Sequence, residues 1–195
     1  MRVTKAQSQA NRERIVETAS VLFRERGFDG VGLVDLMAAA GLTHGGFYKH
    51  FGSKAELMAE ASANSLARSL SDAESLDVQG FIDLYFSRDH RDGRGDGCTM
   101  AALCGDAARQ PDELRGAFAD GIERTLSALG EGYPTTEEAA PGEVRAKMID
   151  ILAHAVGAVM LSRACPDDSQ LSDEILEVCH ARMTAALPVS PSSES

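Results

Sequence analysis

Residues 43–50 read Thr-His-Gly-Gly-Phe-Tyr-Lys-His and combine a hydroxyl, two imidazoles, a phenol and an ammonium group in one short stretch. Such groups donate hydrogen bonds to phosphate oxygens and to base edges, which is the chemistry of nucleic-acid recognition. Phe47 lies in this stretch and Phe51 follows four residues later, so a helix here has one apolar face. The polar face opposite it is predicted to be free to contact DNA.

The two glycines of this stretch favour a functional explanation over a structural one. Gly45 and Gly46 lie with His44 in the predicted first turn, where backbone N–H groups point outward without a partner in the helix. Each glycine costs about 1 kcal/mol relative to alanine. A loose helix start is the structural alternative, and close approach to a DNA groove explains the pair better. Thr43 is predicted to cap the helix, and its hydroxyl is equally suited to a phosphate or base contact.

The surrounding residues predict the helices that position this stretch. Apolar residues recur at helical spacing between residues 10 and 26, and a second short apolar face follows at residues 33–37. Gly41 then forms a turn in the left-handed conformation. Ser53 and Glu56 form a capping box that opens a fourth helix. A packing helix followed by two short helices around a glycine turn is a helix-turn-helix layout.

Three segments together resemble the N-terminal domain of the TetR family of bacterial transcriptional regulators. They are Gly-Phe-Asp-Gly at residues 27–30, Ala-Gly-Leu-Thr-His-Gly-Gly-Phe-Tyr-Lys-His-Phe at 40–51 and Ser-Lys-Ala-Glu-Leu at 53–57. The resemblance covers residues 10–60 and rests on dense motifs. It implies an all-α homodimer with an N-terminal three-helix, helix-turn-helix DNA-binding domain. It also implies a C-terminal helical domain that binds a small molecule and controls the affinity for DNA.

The resemblance assigns further DNA contacts. Tyr48, His50 and Lys54 match family positions that touch phosphates, and Lys49 occupies an adjacent outward position. The candidate DNA-binding residues are therefore Thr43, His44, Gly45, Gly46, Tyr48, Lys49, His50 and Lys54.

One position departs from the family pattern. Where the family usually has Thr-Ser or Thr-Thr at the start of the second helix, this chain has Val31-Gly32. The hydroxyls that would cap this helix and touch a phosphate are absent. We therefore expect a lower nonspecific affinity for DNA and an unchanged fold.

The charge of the chain is unevenly distributed. The net charge is −11, yet residues 1–60 contain 8 Lys and Arg against 7 Asp and Glu, which leaves 11 against 23 for the rest. The acidic excess therefore belongs to the C-terminal part. DNA binding must depend on where the positive groups lie, because the net charge of the N-terminal part is only +1.

The remainder of the chain is predicted to consist of helices and uneven loops. Helices or apolar stretches are predicted at residues 53–71, 78–88, 100–108, 111–129, 142–163 and 168–187, with loops at 90–97 and 130–142. The predicted domains are a flexible basic arm at 1–9, a DNA-binding domain at 10–55, a ligand-binding and dimerisation domain at 56–187 and a disordered tail at 188–195. No apolar run approaches the ~20 residues of a membrane span and no signal peptide is evident, so we expect a cytoplasmic protein.

The two C-terminal helices are the predicted dimer interface. The second half of the helix at 142–163 is apolar nearly all round and must therefore be covered on every side. The small residues Ala155, Gly157 and Ala158 permit close approach of another helix. The resemblance implies a four-helix bundle across a two-fold axis, and a core within one chain is the alternative. The last helix carries one apolar stripe, Leu171, Ile175, Val178, Cys179, Met183 and Leu187.

The cysteines suggest a second kind of chemistry. Cys98, Cys104, Cys165 and Cys179 form no C-x-x-C pair and have no histidine at zinc-site spacing, so no metal or cofactor is expected. Cys104 and Cys179 are predicted to be core residues. Cys98 opens a helix, where the helix dipole favours the thiolate, and Arg88, Arg91 and Arg94 precede it. The Gly-Cys opening also resembles a branch of the family that responds to electrophiles. Cys98 is therefore either a sensing thiol or a packed residue at a helix start.

No catalytic group of residues emerges, and the chain is not expected to be an enzyme. His154 is a lone histidine on an apolar helix, which is more typical of a core or pocket residue than of a catalytic base. The predicted ligand-binding residues are mostly apolar, which favours an apolar or aromatic effector. They are Phe81, Tyr85, Met100, Leu103, Phe118, Ile122, Met148 and His154.

The sequence thus predicts a homodimeric transcription factor that represses by binding a palindromic double-stranded DNA operator. A small apolar or aromatic effector would release it from DNA. Two alternatives remain: a repressor that senses electrophiles or redox state through Cys98, and a ligand-binding dimer with weak affinity for DNA.

Overall fold

The computed structural model describes residues 4–73, 76–133 and 141–187, and all regular structure within these ranges is helical. The expected all-helical class is therefore confirmed. Residues 1–3 of the predicted basic arm, the centre of the predicted 130–142 loop and the tail at 188–195 lie outside the described residues. No helix of the described ranges combines the length and apolar character needed to span a membrane. The helices are α1 (Lys5–Arg26), α2 (Leu33–Ala39), a 3₁₀ helix (His44–Lys49), α3 (Lys54–Ala73), α4 (Val78–Tyr85), α5 (Arg88–Asp92), α6 (Thr99–Ala107), α7 (Asp112–Glu131), α8 (Pro141–Ala164) and α9 (Gln170–Ala185).

The helices form two compact units. The first contains the residues up to 69 together with 94–122, so it includes α1, α2, the 3₁₀ helix, most of α3, α6 and the beginning of α7. The second contains 70–93 and the residues from 123 onward, and its main elements are α4, α5, α8 and α9. The domain boundary proposed after residue 55 remains a prediction.

In the first unit, α1 starts earlier than residue 10. Thr4 caps it, because its Oγ1 accepts a hydrogen bond from the N–H of Gln7 at 3.1 Å. Part of the stretch assigned to the basic arm is therefore helical. The buried face of α1 follows the predicted helical spacing, with Ile15, Ala19 and Phe23 at most 1% exposed.

The turn after α2 has the predicted glycine conformation. Gly41 has a φ of +69°, and the next residue, Leu42, donates its N–H to the carbonyl of Met37 at 2.8 Å. Leu36 and Met37 are fully buried on the inner face of α2. The turn therefore brings the following residues back against the same core.

The predicted α-helix at 43–50 is instead a six-residue 3₁₀ helix, His44–Lys49. The N–H of Gly46 bonds to the carbonyl of Thr43 at 2.9 Å, an i to i+3 hydrogen bond. Two consecutive glycines and a length of under two α-helical turns disfavour a regular α-helix here. The prediction that the Thr43 side chain caps this helix is wrong, since it makes no capping hydrogen bond.

The capping box at the start of α3 forms in a modified version. Ser53 Oγ accepts the N–H of Glu56 at 3.1 Å, as predicted. The Glu56 carboxylate accepts the N–H of Gly52 at 2.7 Å, one residue before the expected partner. Both ends of the box therefore satisfy backbone donors, and α3 begins at Lys54.

In the second unit, part of the loop predicted at 90–97 is helical. Ser87 caps α5 through a hydrogen bond from the N–H of His90 to its Oγ at 3.1 Å. Arg91 is buried, and its guanidinium donates to Ser172 Oγ at 2.8 Å and to Asp173 Oδ1 at 3.0 Å. The local sequence does not reveal this helix, because its stabilising partners lie about eighty residues away on α9.

The predicted apolar stripe of α9 does not form one buried face. The buried residues of this helix are Ser172, Leu176 and Met183. Leu171 and Val178 are 55% and 52% exposed, so a separate apolar surface lies outside the core of the chain. The sequence predicts the apolar residues of this stripe but does not show which of them face the core of the chain.

We predict that Gly41→Ala destabilises the protein by about 1–2 kcal/mol, since an L residue is strained at positive φ. A Cβ at position 41 meets only Arg14 Nη1 at 3.9 Å, so the cost is conformational and not steric. The matched control is Gly116→Ala on α7, which has nothing within 4 Å and should stabilise by about 1 kcal/mol. Thermal and chemical unfolding measure both changes, and a neutral Gly41→Ala would contradict the argument.

Candidate functional site

The 3₁₀ helix presents one buried and one exposed side. Phe47 is fully buried and Phe51 is 2% exposed, and their rings stack with centroids 5.6 Å apart. The prediction that both are core residues is confirmed. This aromatic pair fixes the short helix to the first unit and leaves its other side accessible.

Polar and aromatic groups occupy the exposed side. Tyr48 is 65% exposed, and the edge of its ring packs against Phe47 with centroids 5.2 Å apart at 86°. His44 and Lys49 are also exposed, whereas His50 is partly buried. A phenol supported by Phe47, an imidazole and an ammonium group are therefore exposed on this short helix, and such groups can donate hydrogen bonds to phosphates and bases.

The glycines of the 3₁₀ helix are not required by the fold. A Cβ on Gly45 would meet nothing within 4 Å. A Cβ on Gly46 would make ordinary contacts, at 3.7 Å with Thr43 Oγ1 and at 3.8 Å with Met37 Cε. Positive φ among the described glycines is confined to Gly27 and Gly41. Neither packing nor backbone conformation within the chain thus demands glycine at 45 or 46.

Lys54 has a structural partner that the sequence did not reveal. Its Nζ donates to the carbonyl oxygen of Phe28 at 2.6 Å. The lysine thereby connects the first turn of α3 to the segment between α1 and α2. Its predicted phosphate contact remains a prediction.

The start of α2 lacks a side-chain cap, as the sequence suggests. Gly32 occupies the capping position without a side-chain hydrogen bond, and Val31 before it is 2% exposed. A Cβ at position 32 would lie 3.6 Å from Asp35 Oδ2, so the site has room for a side chain. The missing hydroxyl is therefore a property of the sequence and not a steric requirement.

Arg12 is a supporting residue that the sequence analysis missed. Its guanidinium lies over the ring of Phe51, 4.5 Å from the centroid, and pairs with Glu60 and, at 3.8 Å, with Glu56. The arginine thus joins α1 to the aromatic anchor and to α3. No local pattern reveals this role, because it depends on residues about forty positions away.

Cys98 precedes α6 as its capping residue and is partly buried. A positive charge does lie nearby, but it comes from Arg24 on α1. Burial lowers the pKa of Arg24, while electrostatic interactions with Asp96 and Cys98 oppose this shift. The predicted helpers Arg88 and Arg91 instead form ion pairs with Asp173 at 2.6 and 3.0 Å. Arg24 is therefore the charged neighbour of Cys98 that sequence spacing did not indicate.

The other cysteines differ from Cys98 in their environment. Burial raises the pKa of Cys104 to about 11 and also raises the pKa of Cys179. Both thiols are therefore held mainly in the unreactive protonated form.

The predicted ligand-binding residues divide between the two units. Phe81, Tyr85 and Met148 are buried in the second unit, with the rings of Phe81 and Tyr85 5.0 Å apart. His154 has a 48% exposed side chain whose Nδ1 lies 3.7 Å from Asp150 Oδ1. It faces solvent and not a core, because it lies outside the buried face of α8. In the first unit Met100, Leu103 and Phe118 are buried and Ile122 is partly buried.

A groove of about 350 Å³ lies in the second unit beside α9. It contains none of the predicted ligand-binding residues. Its polar wall is already paired: His180 Nε2 lies 2.7 Å from Asp83 Oδ1, and this hydrogen bond lowers the pKa of Asp83. Its lining consists of Asp83, Phe86, Arg88, Asp173, Leu176, Glu177 and His180.

Comparisons with known proteins agree with this geometry. The family model described as bacterial regulatory proteins, tetR family, matches residues 15–61. An uncharacterised HTH-type transcriptional regulator of Mycobacterium tuberculosis is 32% identical over 176 residues, covering 82% of this chain and 87% of that protein. The probable HTH-type transcriptional regulator ArpR of Pseudomonas putida is 35% identical over 86 residues, 41% of each chain, so the match spans less than half of that relative.

Solved structures share the fold across nearly the whole chain. The reduced form of NemR from E. coli superposes with a TM-score of 0.74 at 21% identity, covering 94% of this chain and 99% of that one. A TetR transcriptional regulator from Chloroflexus aurantiacus gives 0.72 at 23% identity, covering 92% and 95%.

A helix-turn-helix with an exposed polar face, followed by a helical C-terminal region, defines a class of DNA-binding transcriptional regulators. The chain belongs to the TetR family of bacterial regulatory proteins.

Proposed function

We propose that this protein is a repressor that binds a palindromic DNA operator as a homodimer and is released by a small effector. The proposed DNA contact is supported chiefly by the exposed 3₁₀ helix. The space around Gly45 and Gly46 would accommodate a side chain at either position, yet both residues are glycine. Tyr48 and Lys49 lie exposed beside them. A backbone without side chains at this point lets the helix approach a DNA groove closely, while the neighbouring side chains reach phosphates and bases.

The proposal is tested by selection of DNA from a randomised duplex library with the wild-type protein. A palindromic sequence with half-sites about one helical turn apart is the expected outcome. The affinity should fall steeply with rising salt, because phosphate contacts dominate. Failure to enrich any sequence at low salt would reject the repressor function and favour a ligand-binding dimer with weak DNA affinity.

We predict that Gly45→Ala lowers the affinity for the selected duplex about tenfold or more, since the added methyl group holds the helix away from the groove. The folded protein should be as stable as wild type or more stable by about 0.4–1 kcal/mol, because alanine has less freedom in the unfolded chain. Fluorescence anisotropy with labelled duplex and thermal unfolding give the two quantities.

Gly116→Ala is the matched control for this experiment. It adds the same methyl group to an exposed glycine of the first unit that also has nothing within 4 Å. It should raise stability and leave DNA binding unchanged. Wild-type affinity in Gly45→Ala would rule out close approach as the reason for the glycine.

The dimer is proposed to form through an apolar surface on α8 and α9, defined by Met160, Leu161, Leu171 and Val178. These side chains are 38–62% exposed although they are apolar. Ala155 and Ala158, predicted to allow close approach of a partner, are buried within the chain at 0% and 3% exposure. Gly157 remains partly exposed, with nothing within 4 Å of a Cβ. Exposed apolar surface on neighbouring helices favours a partner molecule.

We predict that Leu161→Glu or Val178→Glu converts the dimer to a monomer in sedimentation velocity, because a carboxylate at the centre of an apolar interface lacks a partner. Leu84→Glu is the control, since Leu84 is a 50% exposed leucine on α4, outside the proposed surface. A dimer that persists in both α8 and α9 variants would place the interface elsewhere.

The effector is proposed to be small and apolar or aromatic. Phe81 and Tyr85 supply adjacent buried rings in the second unit, and such rings favour flat apolar ligands. Competition between candidate ligands and the selected duplex tests this proposal.

A second candidate for the release signal is covalent modification of Cys98. It is supported by the position of this thiol before α6 and by the interaction of its sulfur with the guanidinium of Arg24. An electrophile with an activated C=C bond would react by addition: the thiol proton passes to solvent, the S–C bond forms as the C=C π bond breaks, and the resulting carbanion takes up a proton from solvent. The other partly buried thiols Cys104 and Cys179 are disfavoured by raised pKa values.

We predict that iodoacetamide at pH 8 labels Cys98 well before Cys104, because a thiol of pKa about 11 is only about 0.1% ionised there. Peptide mass spectrometry measures the rates. Cys98→Ser should abolish release from DNA by electrophiles and retain DNA binding, whereas the control Cys165→Ser should behave as wild type. An unchanged response in Cys98→Ser would eliminate the thiol mechanism.

A further inference from the structure

The backbone of Phe28 is held by charged side chains from two other helices. Its N–H donates to Asp106 Oδ2 of α6 at 3.3 Å, and its carbonyl accepts from Lys54 Nζ of α3 at 2.6 Å. The Phe28 ring is fully buried, edge-on to Phe23 with centroids 5.2 Å apart. We call the group of Phe28, Lys54 and Asp106 the Phe28 clamp.

The clamp acts on the turn that sets the position of α2. Phe28 follows Gly27, whose φ of +72° ends α1, and a Cβ at Gly27 would lie 2.6 Å from Asp106 Oδ2. The carboxylate therefore packs closely against Gly27, and it also accepts a hydrogen bond from the backbone of the turn. Asp106 Oδ1 accepts from Arg109 Nη2 at 2.8 Å, which leaves Oδ2 to the turn. Because α2 packs on the 3₁₀ helix, a shift of this turn changes the surface that meets DNA.

The N-terminal end of α6 and the residues just before it also form hydrogen bonds with α1 and α3. Arg24 of α1 donates from Nε to the carbonyl of Gly95 at 2.7 Å, and Thr99 Oγ1 lies 2.6 Å from Ser65 Oγ of α3. α6 is thus connected at both ends to the helices that carry the 3₁₀ helix. In sequence, residues 94–98 separate α6 from residues 70–93, which belong to the second unit.

We propose that Asp106 is a positioning residue for DNA recognition, which holds the α1–α2 turn and through it α2 and the 3₁₀ helix. The proposal rests on the DNA-binding function proposed above. For the change in DNA affinity on removal of this carboxylate, the proposal predicts the opposite sign to simple electrostatics. Removing a carboxylate from a DNA-binding protein reduces repulsion of phosphates and strengthens binding, whereas loss of a positioning carboxylate weakens it.

The test compares Asp106→Ala and Asp106→Asn with the matched control Asp112→Ala. Asp112 lies in the same unit and forms an ion pair with Arg115, three residues later, at 2.9 Å, just as Asp106 pairs with Arg109. The side chain of Asp112, however, is 96% exposed. The probes are the duplex selected by wild-type protein and a random-sequence duplex of equal length. The measured quantity is the ratio of the two affinities, because partial unfolding lowers both affinities equally and leaves the ratio unchanged.

Asp106→Ala is expected to lower this ratio about tenfold through loss of a charge-assisted hydrogen bond. Asp106→Asn, which keeps an acceptor oxygen, should lower it less, and Asp112→Ala should leave it at the wild-type value. Hydrogen exchange of the Phe28 amide should accelerate in both Asp106 variants, while the amides of α1 keep their protection.

An unchanged ratio in Asp106→Ala overturns the positioning role and leaves the DNA-binding proposal intact. If Asp106→Ala does not fold, the affinity ratio and the exchange rate of the Phe28 amide are measured in Asp106→Asn instead. Wild-type values of both quantities in that variant overturn the positioning role. If wild-type protein selects no DNA sequence, the DNA-binding proposal fails and the positioning role fails with it.

Discussion

Burial of two phenylalanine rings is the interaction on which the proposed DNA-binding surface depends. A six-residue 3₁₀ helix with adjacent glycines cannot persist by its own hydrogen bonds, because short helices are marginal in water. Phe47 and Phe51 fix it to the first unit by burying their stacked rings, and Arg12 covers Phe51. Tyr48 then packs its ring edge on Phe47, so the exposed phenol is oriented by the same buried side chain.

The parts that sequence alone predicts are those determined by neighbours in the chain. Helical spacing identifies the buried face of α1, and residue type identifies Gly41 as a left-handed turn and Ser53 as a cap. The four-residue spacing of Phe47 and Phe51 identifies both as core residues, even though the intervening helix is 3₁₀ and not α. Local conformational preference and apolar periodicity are enough for these features.

The features that sequence does not predict rest on side chains that bond to a distant backbone. Lys54 and Asp106 both reach Phe28, and Arg24 reaches Gly95, across 26 to 78 positions of the chain. Periodicity carries no information about such pairs, because a charged residue on a helix resembles a solvated one in sequence. The two faces of α9 are not distinguished by sequence for a related reason, since an apolar residue facing solvent or a partner resembles one facing the core.

Some glycines are required by the fold of the chain, and others are not. A positive φ explains why residue 41 is glycine. At residue 27, both a positive φ and the close approach of Asp106 explain the glycine. At Gly45 neither conformation nor packing accounts for it, although glycine weakens a helix. A residue that costs stability and has open space around it points to a constraint outside the chain. In the exposed helix beside Tyr48, the constraint that we propose is the approach of the backbone to another macromolecule, and membership of the TetR family favours DNA.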